Sequence, residues 1–203
     1  MTEALAGYYR LHSRIYDATR WTFLHGRQRI LDIASADLPP APRILEIGCG
    51  TGRNLAHLAR RHPKARITGL DLSGDMLDRA RPKLAMHGER IQLLHRPYDG
   101  AAGEGEGFDL ILFSYALSMM NPGFEEVLAG ARGELQSGGR IAVVDFHDSP
   151  HRLFRSWMGR NHVRMEGQLP GVLRREFEPI RCEIHSAMAG LWRWLIFTGK
   201  KQA

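Results

Sequence analysis

Glu46-Ile47-Gly48-Cys49-Gly50-Thr51-Gly52 decides how this 203-residue chain is read. In front of it, Arg43-Ile-Leu-Glu-Ile47 is a short run with the character of a buried strand, and behind it Arg53 to Arg61 carries Leu55 and Leu58 at helical spacing. A strand, a glycine turn and a helix together give a glycine pattern its meaning. Glycines let the backbone turn tightly and let a ligand approach where a Cβ would collide. The spacing here is G-x-G-x-G, with Arg53 at the place where the dinucleotide fingerprint G-x-G-x-x-G has its third glycine. Glu46, on the strand before the turn, would repel a pyrophosphate but could pair with an ammonium group. Asp71 ends the next strand, residues 65–70, where a carboxylate can accept both hydroxyls of a ribose.

Working outward, further strands are expected at 91–94, 108–114 and 140–146, and β-like runs at 180–187 and 191–198. Helices are expected at 74–86, 124–135 and 151–159. Residues 5–36 read as helical, through Tyr8, Leu11, Tyr16, Phe23 and Leu24 among others, and Asp37-Leu-Pro-Pro-Ala-Pro42 ends them. Asp99 to Gly107 is a glycine-rich linker. Alternating strands and helices argue for an α/β fold with a mostly parallel sheet covered on both faces. Met188-Ala-Gly190 is too short for a parallel crossover, so the last two strands must form an antiparallel hairpin. The reading is thus a Rossmann-like, seven-stranded sheet, with 1–40 as a helical cap and 41–203 as the ligand-binding domain of one folded unit.

Composition excludes several classes. No apolar run approaches the length of a membrane span. The N-terminus lacks the layout of a secretory signal. Two cysteines, Cys49 and Cys182, make no disulfide framework and no metal-ligand spacing, so no metal is expected and a reducing cytoplasm is the default compartment. The net charge of +6 is uneven: His151 to Arg164 holds Arg152, Arg155, Arg160 and Arg164 and no Asp or Glu. Such a patch attracts phosphate, in nucleic acid or on an anionic membrane surface. Leu153, Phe154, Trp157 and Met158 share one helical face there, the pattern of a basic amphipathic helix that can rest among lipid headgroups. Trp21 and Phe23, near Arg20 and Arg27, could touch a bilayer too.

The glycine turn with Glu46 and Asp71 resembles the S-adenosylmethionine motifs of class I methyltransferases. The resemblance implies that S-adenosylmethionine is the cofactor, held by Gly48, Gly50 and Gly52 with Asn54 and Ser114. Glu46 would face its amino end, Asp71 its ribose, Leu72 and Met76 its adenine, and Tyr16 would close over it. The adenine-edge carboxylate of such enzymes matches Asp99, which falls about two positions late; Tyr98 is the alternative.

A narrower likeness runs over nearly the whole chain. It rests on Arg14-Ile-Tyr-Asp-Ala-Thr-Arg20, Gly26-Arg27, Phe113-Ser-Tyr-Ala-Leu-Ser-Met-Met120, Val144-Asp-Phe-His147, Trp157-Met-Gly-Arg-Asn-His-Val-Arg-Met165 and Gly190-Leu-Trp-Arg-Trp194. These stretches resemble the bacterial methyltransferases of betaine-lipid synthesis, which trimethylate the amine of diacylglyceryl-homoserine. Related enzymes act on phosphatidylethanolamine. The resemblance implies a lipid substrate at an anionic membrane surface, the enzyme that makes diacylglyceryl-homoserine as a partner, and a peripheral place on the inner membrane face. Tyr115, Asp145 and His147 lie where a base or a positioning group would stand, with Tyr115 and His147 expected to position the amine. Arginine suits a planar carboxylate, so Arg164, before Arg160, is the expected clamp on the homoserine carboxylate. A soluble small-molecule acceptor, a quinone or metabolite, is the alternative. Nucleic acid is not expected, because Ser114-Tyr-Ala-Leu117 stands where amino-methylating DNA enzymes carry Asn/Asp-Pro-Pro-aromatic.

Overall fold

The computed structural model describes residues 24–103 and 105–201. In chain order the elements are α1 (Arg27–Ser35), β1 (Arg43–Ile47), α2 (Arg53–Arg61), β2 (Arg66–Asp71), α3 (Gly74–Leu84), β3 (Ile91–His95), β4 (Phe108–Ser114), α4 (Phe124–Glu134), β5 (Leu135–Asp148), α5 (Arg152–Arg160), α6 (Leu169–Glu176), β6 (Phe177–Ala187) and β7 (Trp192–Lys201). One seven-stranded sheet has the order β3-β2-β1-β4-β5-β7-β6. β1 to β5 are parallel, and β7 runs antiparallel between β5 and β6. This is the Rossmann-like class I methyltransferase fold, with the antiparallel hairpin the sequence requires.

Strand periodicity sends successive side chains to opposite faces. Ile44, Leu110, Leu112, Val144 and Ile196 face one apolar cluster, with Ile30 of α1, Leu55 of α2, Leu77 of α3 and Met158 of α5. Leu45, Ile111, Phe113, Val143 and Leu195 face the other, with Leu128 of α4 and Leu173 of α6. Central strands buried on both faces explain why residues 43–47 and 108–114 read as continuous apolar runs.

The structure corrects four expectations of local structure. The helical reading across 5–36 does not continue unbroken, because Gly26 takes φ 75° and starts α1 afresh. A Cβ on Gly26 would collide with the Trp194 ring. Most of that stretch, residues 5–23, lies outside the described residues. α3 tolerates Pro82 and ends at Leu84, before a short 3-10 stretch. β5 starts at Leu135, because Leu135 pairs with Phe108 and an irregularity absorbs the residues before Arg140. α6 escaped the reading, although Leu169, Val172 and Leu173 are helically spaced and Pro170 stands in the first turn, where proline is tolerated.

Candidate active site

The glycine turn sits at the carboxyl end of β1, the end at which open α/β sheets bind ligands. Gly48, Gly50 and Gly52 all have positive φ (76°, 54° and 72°), and the N–H groups of Gly48 and Cys49 donate to the Leu70 carbonyl (2.8 and 3.0 Å). At Gly48 a Cβ would press to 2.8 Å from Ala116 Cβ; at Gly50 it would enter open space. Gly48 is therefore glycine for packing, while Gly50 leaves room in the cradle for a ligand.

Asp71 binds the turn from the neighbouring strand. Its Oδ2 accepts from the Gly50 N–H (2.7 Å) and its Oδ1 from the Ser73 N–H (2.9 Å). A carboxylate oxygen can accept more than one hydrogen bond, which suits this residue to a ribose hydroxyl as well. Ser73 caps α3, its hydroxyl accepting from the Met76 N–H (3.4 Å). The adenine expectation divides here: Leu72 is exposed and offers an apolar surface, whereas Met76 is buried beneath it.

Glu46 is fully buried. Its Oε1 accepts from Asn54 Nδ2 (2.6 Å), and its Oε2 has no partner among the described residues. Burial pushes its carboxyl up to about 8, against the pull of the Asn54 hydrogen bond and the nearby Arg27. An unpartnered buried carboxylate oxygen is costly and calls for a donor. Arg27 Nη2 donates to Asn54 Oδ1 (3.1 Å), which makes a chain Arg27–Asn54–Glu46 along the turn. The sequence reading gave Arg27 to a bilayer; the structure gives it to this network. The Gly26-Arg27 pair was the available signal.

At the sheet's other parallel strands the expectations fare differently. Tyr115, expected to position the amine, is buried, with φ 58°, its ring packs edge-on against Phe146, and its hydroxyl donates to the His25 carbonyl (2.7 Å). Asp145 is likewise engaged by backbone. Its Oδ2 accepts from the Ser118 N–H (3.1 Å) and its Oδ1 from the Phe146 N–H (2.7 Å), and burial lifts its carboxyl to about 6. His147 is buried at the end of β5, its Nδ1 has no partner among the described residues, and burial lowers its pKa, so the ring is neutral at pH 7. Ser114 ends β4 with its hydroxyl buried and without a partner among the described residues.

Asp99 and Tyr98, expected at the adenine edge, both have partners within the protein. Asp99 is exposed, accepting from Arg96 (2.6 Å) and the Ala101 N–H (3.1 Å). Tyr98 donates its hydroxyl to Glu134 of α4 (2.7 Å). The group beside Leu72 is His95, whose Nε2 lies 3.1 Å from the Leu72 carbonyl and whose ring packs on Gly74. Arg164 is half exposed, with its Nε 2.8 Å from Glu166, and its N–H donates to the Ser118 carbonyl (2.8 Å). Tyr16 lies outside the described residues.

The cradle, with its buried acid, ribose acid and G-x-G-x-G turn, has the parts of a methyl-donor site. Residues 44–139 match the profile of a family described as "Methyltransferase domain". Residues 44–139 are thus similar to a methyltransferase domain. Trans-aconitate 2-methyltransferase of Streptomyces coelicolor is 35% identical over 144 residues, which cover 69% of this chain and 47% of that protein. Malonyl-[acyl-carrier protein] O-methyltransferase of Magnetococcus marinus is 34% identical over 135 residues, 65% of this chain and 46% of that one. The chain spans about half the length of these curated relatives. Among solved structures, 1,6-didemethyltoxoflavin-N1-methyltransferase of Burkholderia thailandensis, with bound 1,6-didemethyltoxoflavin and S-adenosylhomocysteine, superposes with a TM-score of 0.73 at 21% identity and covers 98% of this chain and 88% of that one.

S-adenosylmethionine is the donor that the domain's residues fit. Glu46 Oε2 has no partner among the described residues and would suit the donor's ammonium, a Cβ at Gly50 would meet nothing, and the Asp71 carboxylate at the end of β2 would suit the ribose.

Proposed function

We propose that the chain methylates the amine of a lipid headgroup, diacylglyceryl-homoserine above others, with S-adenosylmethionine as donor. The observation that carries this reading is the hydrogen bond from the Arg164 N–H to the Ser118 carbonyl. It packs the Asn161–Met165 stretch against the loop after β4, where the donor site opens, and Val163 and Met165 anchor it by burial. The Arg164 guanidinium is half exposed and paired with Glu166 (2.8 Å), and exchanging that partner for the carboxylate that a homoserine headgroup carries beside its amine is the role we assign it.

When bound, S-adenosylmethionine supplies an electrophilic methyl group. The chain's residues must present an amine lone pair to it. An aliphatic amine of pKa ~9 is almost wholly protonated at pH 7, and losing that proton costs roughly 2.7 kcal/mol. His147 stands at the end of β5 with its pKa lowered by burial, so in this reading its neutral ring orients the amine and takes its proton. Burial of the amine beside a cation lowers its pKa further. Orientation of the amine by His147 and Arg164 supplies much of the remaining acceleration.

The test is incubation with labelled donor and a bacterial lipid extract, with the product identified by mass. Label in a methylated homoserine lipid is the expected result. Arg164→Lys should reduce turnover far more on that lipid than on phosphatidylethanolamine, and equal loss on both would remove the clamp. The likeness to trans-aconitate and malonyl-carrier enzymes favours a second reading, a small soluble carboxylic acid as acceptor. Label in trans-aconitate and none in lipid would establish it.

A further inference from the structure

The amphipathic helix α5 does not bury its apolar side as one face. Phe154 and Met158 turn inward: Met158 is buried, and the Phe154 ring stacks on Trp192 at 5.6 Å. Leu153 and Trp157, one turn apart, turn outward, at 89% and 49% exposure. Arg160 follows them at the next helical position, and Arg152 precedes them. Neither arginine makes an ion pair among the described residues, and residues 151–164 contain no acid. Trp157 is held from behind by Phe154, at 5.8 Å between ring centroids. α5 follows β5, so this surface belongs to the sheet end at which the donor site opens.

We infer that this outward stripe of α5 docks the enzyme on an anionic lipid bilayer. Leu153 and Trp157 enter the headgroup region, where an indole is at home, and Arg152 and Arg160 pair with lipid phosphates. Charge complementarity selects this occupant. A second copy meeting the stripe about a two-fold axis would set unpaired arginines against each other, whereas an anionic surface neutralises them. The inference serves the lipid-acceptor reading above but is tested without catalysis.

The experiment is co-sedimentation with vesicles of phosphatidylcholine containing roughly 30% phosphatidylglycerol. Wild-type protein should pellet with these and far less with pure phosphatidylcholine. A Leu153→Ser/Trp157→Ala double variant should partition at least ~10-fold more weakly. Arg152→Gln and Arg160→Gln should each weaken binding about 5-fold at low salt. Met86→Ser, which alters an equally exposed apolar residue before β3 at the opposite sheet end, should change nothing. Unchanged heat of S-adenosylhomocysteine binding certifies that each variant is folded. Equal pelleting of wild type and the double variant, equal loss in Met86→Ser, or a wild-type dimer that the double variant abolishes, would overturn the inference. Vesicle binding through α5 with no lipid methylated would leave the docking surface standing and remove the acceptor reading.

Discussion

Glu46 shows how one side chain can be wrong for the unliganded fold and right for the ligand. Its neutral form is favoured by burial, so the folded chain holds a proton that the unfolded chain releases between the ordinary 4.5 and about 8. Stability therefore falls as pH rises through that window. Glu46→Gln removes the effect while retaining a group that can meet Asn54. The variant and wild type should melt alike near pH 4, and the variant should gain as pH rises to 9, by roughly 2–4 °C for each kcal/mol relieved. A Tm difference independent of pH would refute this. The same substitution should weaken S-adenosylhomocysteine binding at least ~10-fold by calorimetry, since a charge-assisted bond contributes about 1.5–3 kcal/mol. The placement of such residues was legible where the chain is locally ordered: Glu46, Gly50 and Asp71 lie on one strand-turn-helix-strand unit. The Tyr115 tether was not legible, because it joins residues 90 positions apart and an aromatic hydroxyl gives no sign in sequence of which carbonyl it meets.

α1 is placed by two contacts made just before it begins. Tyr115 fixes the His25 carbonyl, and Gly26 lies flat on the Trp194 ring, which is itself stacked between His25 (6.4 Å) and His185 (4.4 Å). Arg27 owes its place on Asn54 to this arrangement. Gly138 also has φ 76° but faces open space, so it isolates the conformational part of a substitution. Gly138→Ala should cost about 1 kcal/mol in urea unfolding. Gly26→Ala should cost roughly 1–3 kcal/mol more, from the added overlap with the indole. Similar losses at both positions would mean that the ring moves aside freely. Helix boundaries were the weaker part of the sequence reading for the same reason: Gly26 is a break imposed by a distant tryptophan, and α6 is a short helix whose apolar face is recognised by β6 and α4 rather than by its length.

At the scale of the molecule, the sheet holds two apolar layers together by alternating every central strand between them. Leu195 and Ile196 are adjacent on β7 and lie in different layers, both fully buried. Neither layer can melt while the strand remains, so unfolding should be one transition. Leu195→Ala and Ile196→Ala should each lower stability by about 2–5 kcal/mol. Circular dichroism and tryptophan fluorescence should report coincident midpoints in both variants. Separate midpoints would show two independent units. The overall order was readable because a parallel sheet demands crossovers and a three-residue link forbids one. The proposed acceptor side was less readable, because the loop after β4 and the segment after α5 meet only in three dimensions.

That assembly divides the site by chain position. Glu46, Gly50, Asn54 and Asp71 of the nucleoside cradle lie between Arg43 and Met76, and the residues of the proposed acceptor rim come from Ser114 to Gly167. Recombination at the 99–107 loop would graft a foreign rim onto an unaltered cradle, so acceptor preference can be inherited, exchanged or engineered as a cassette while the donor chemistry stays the same.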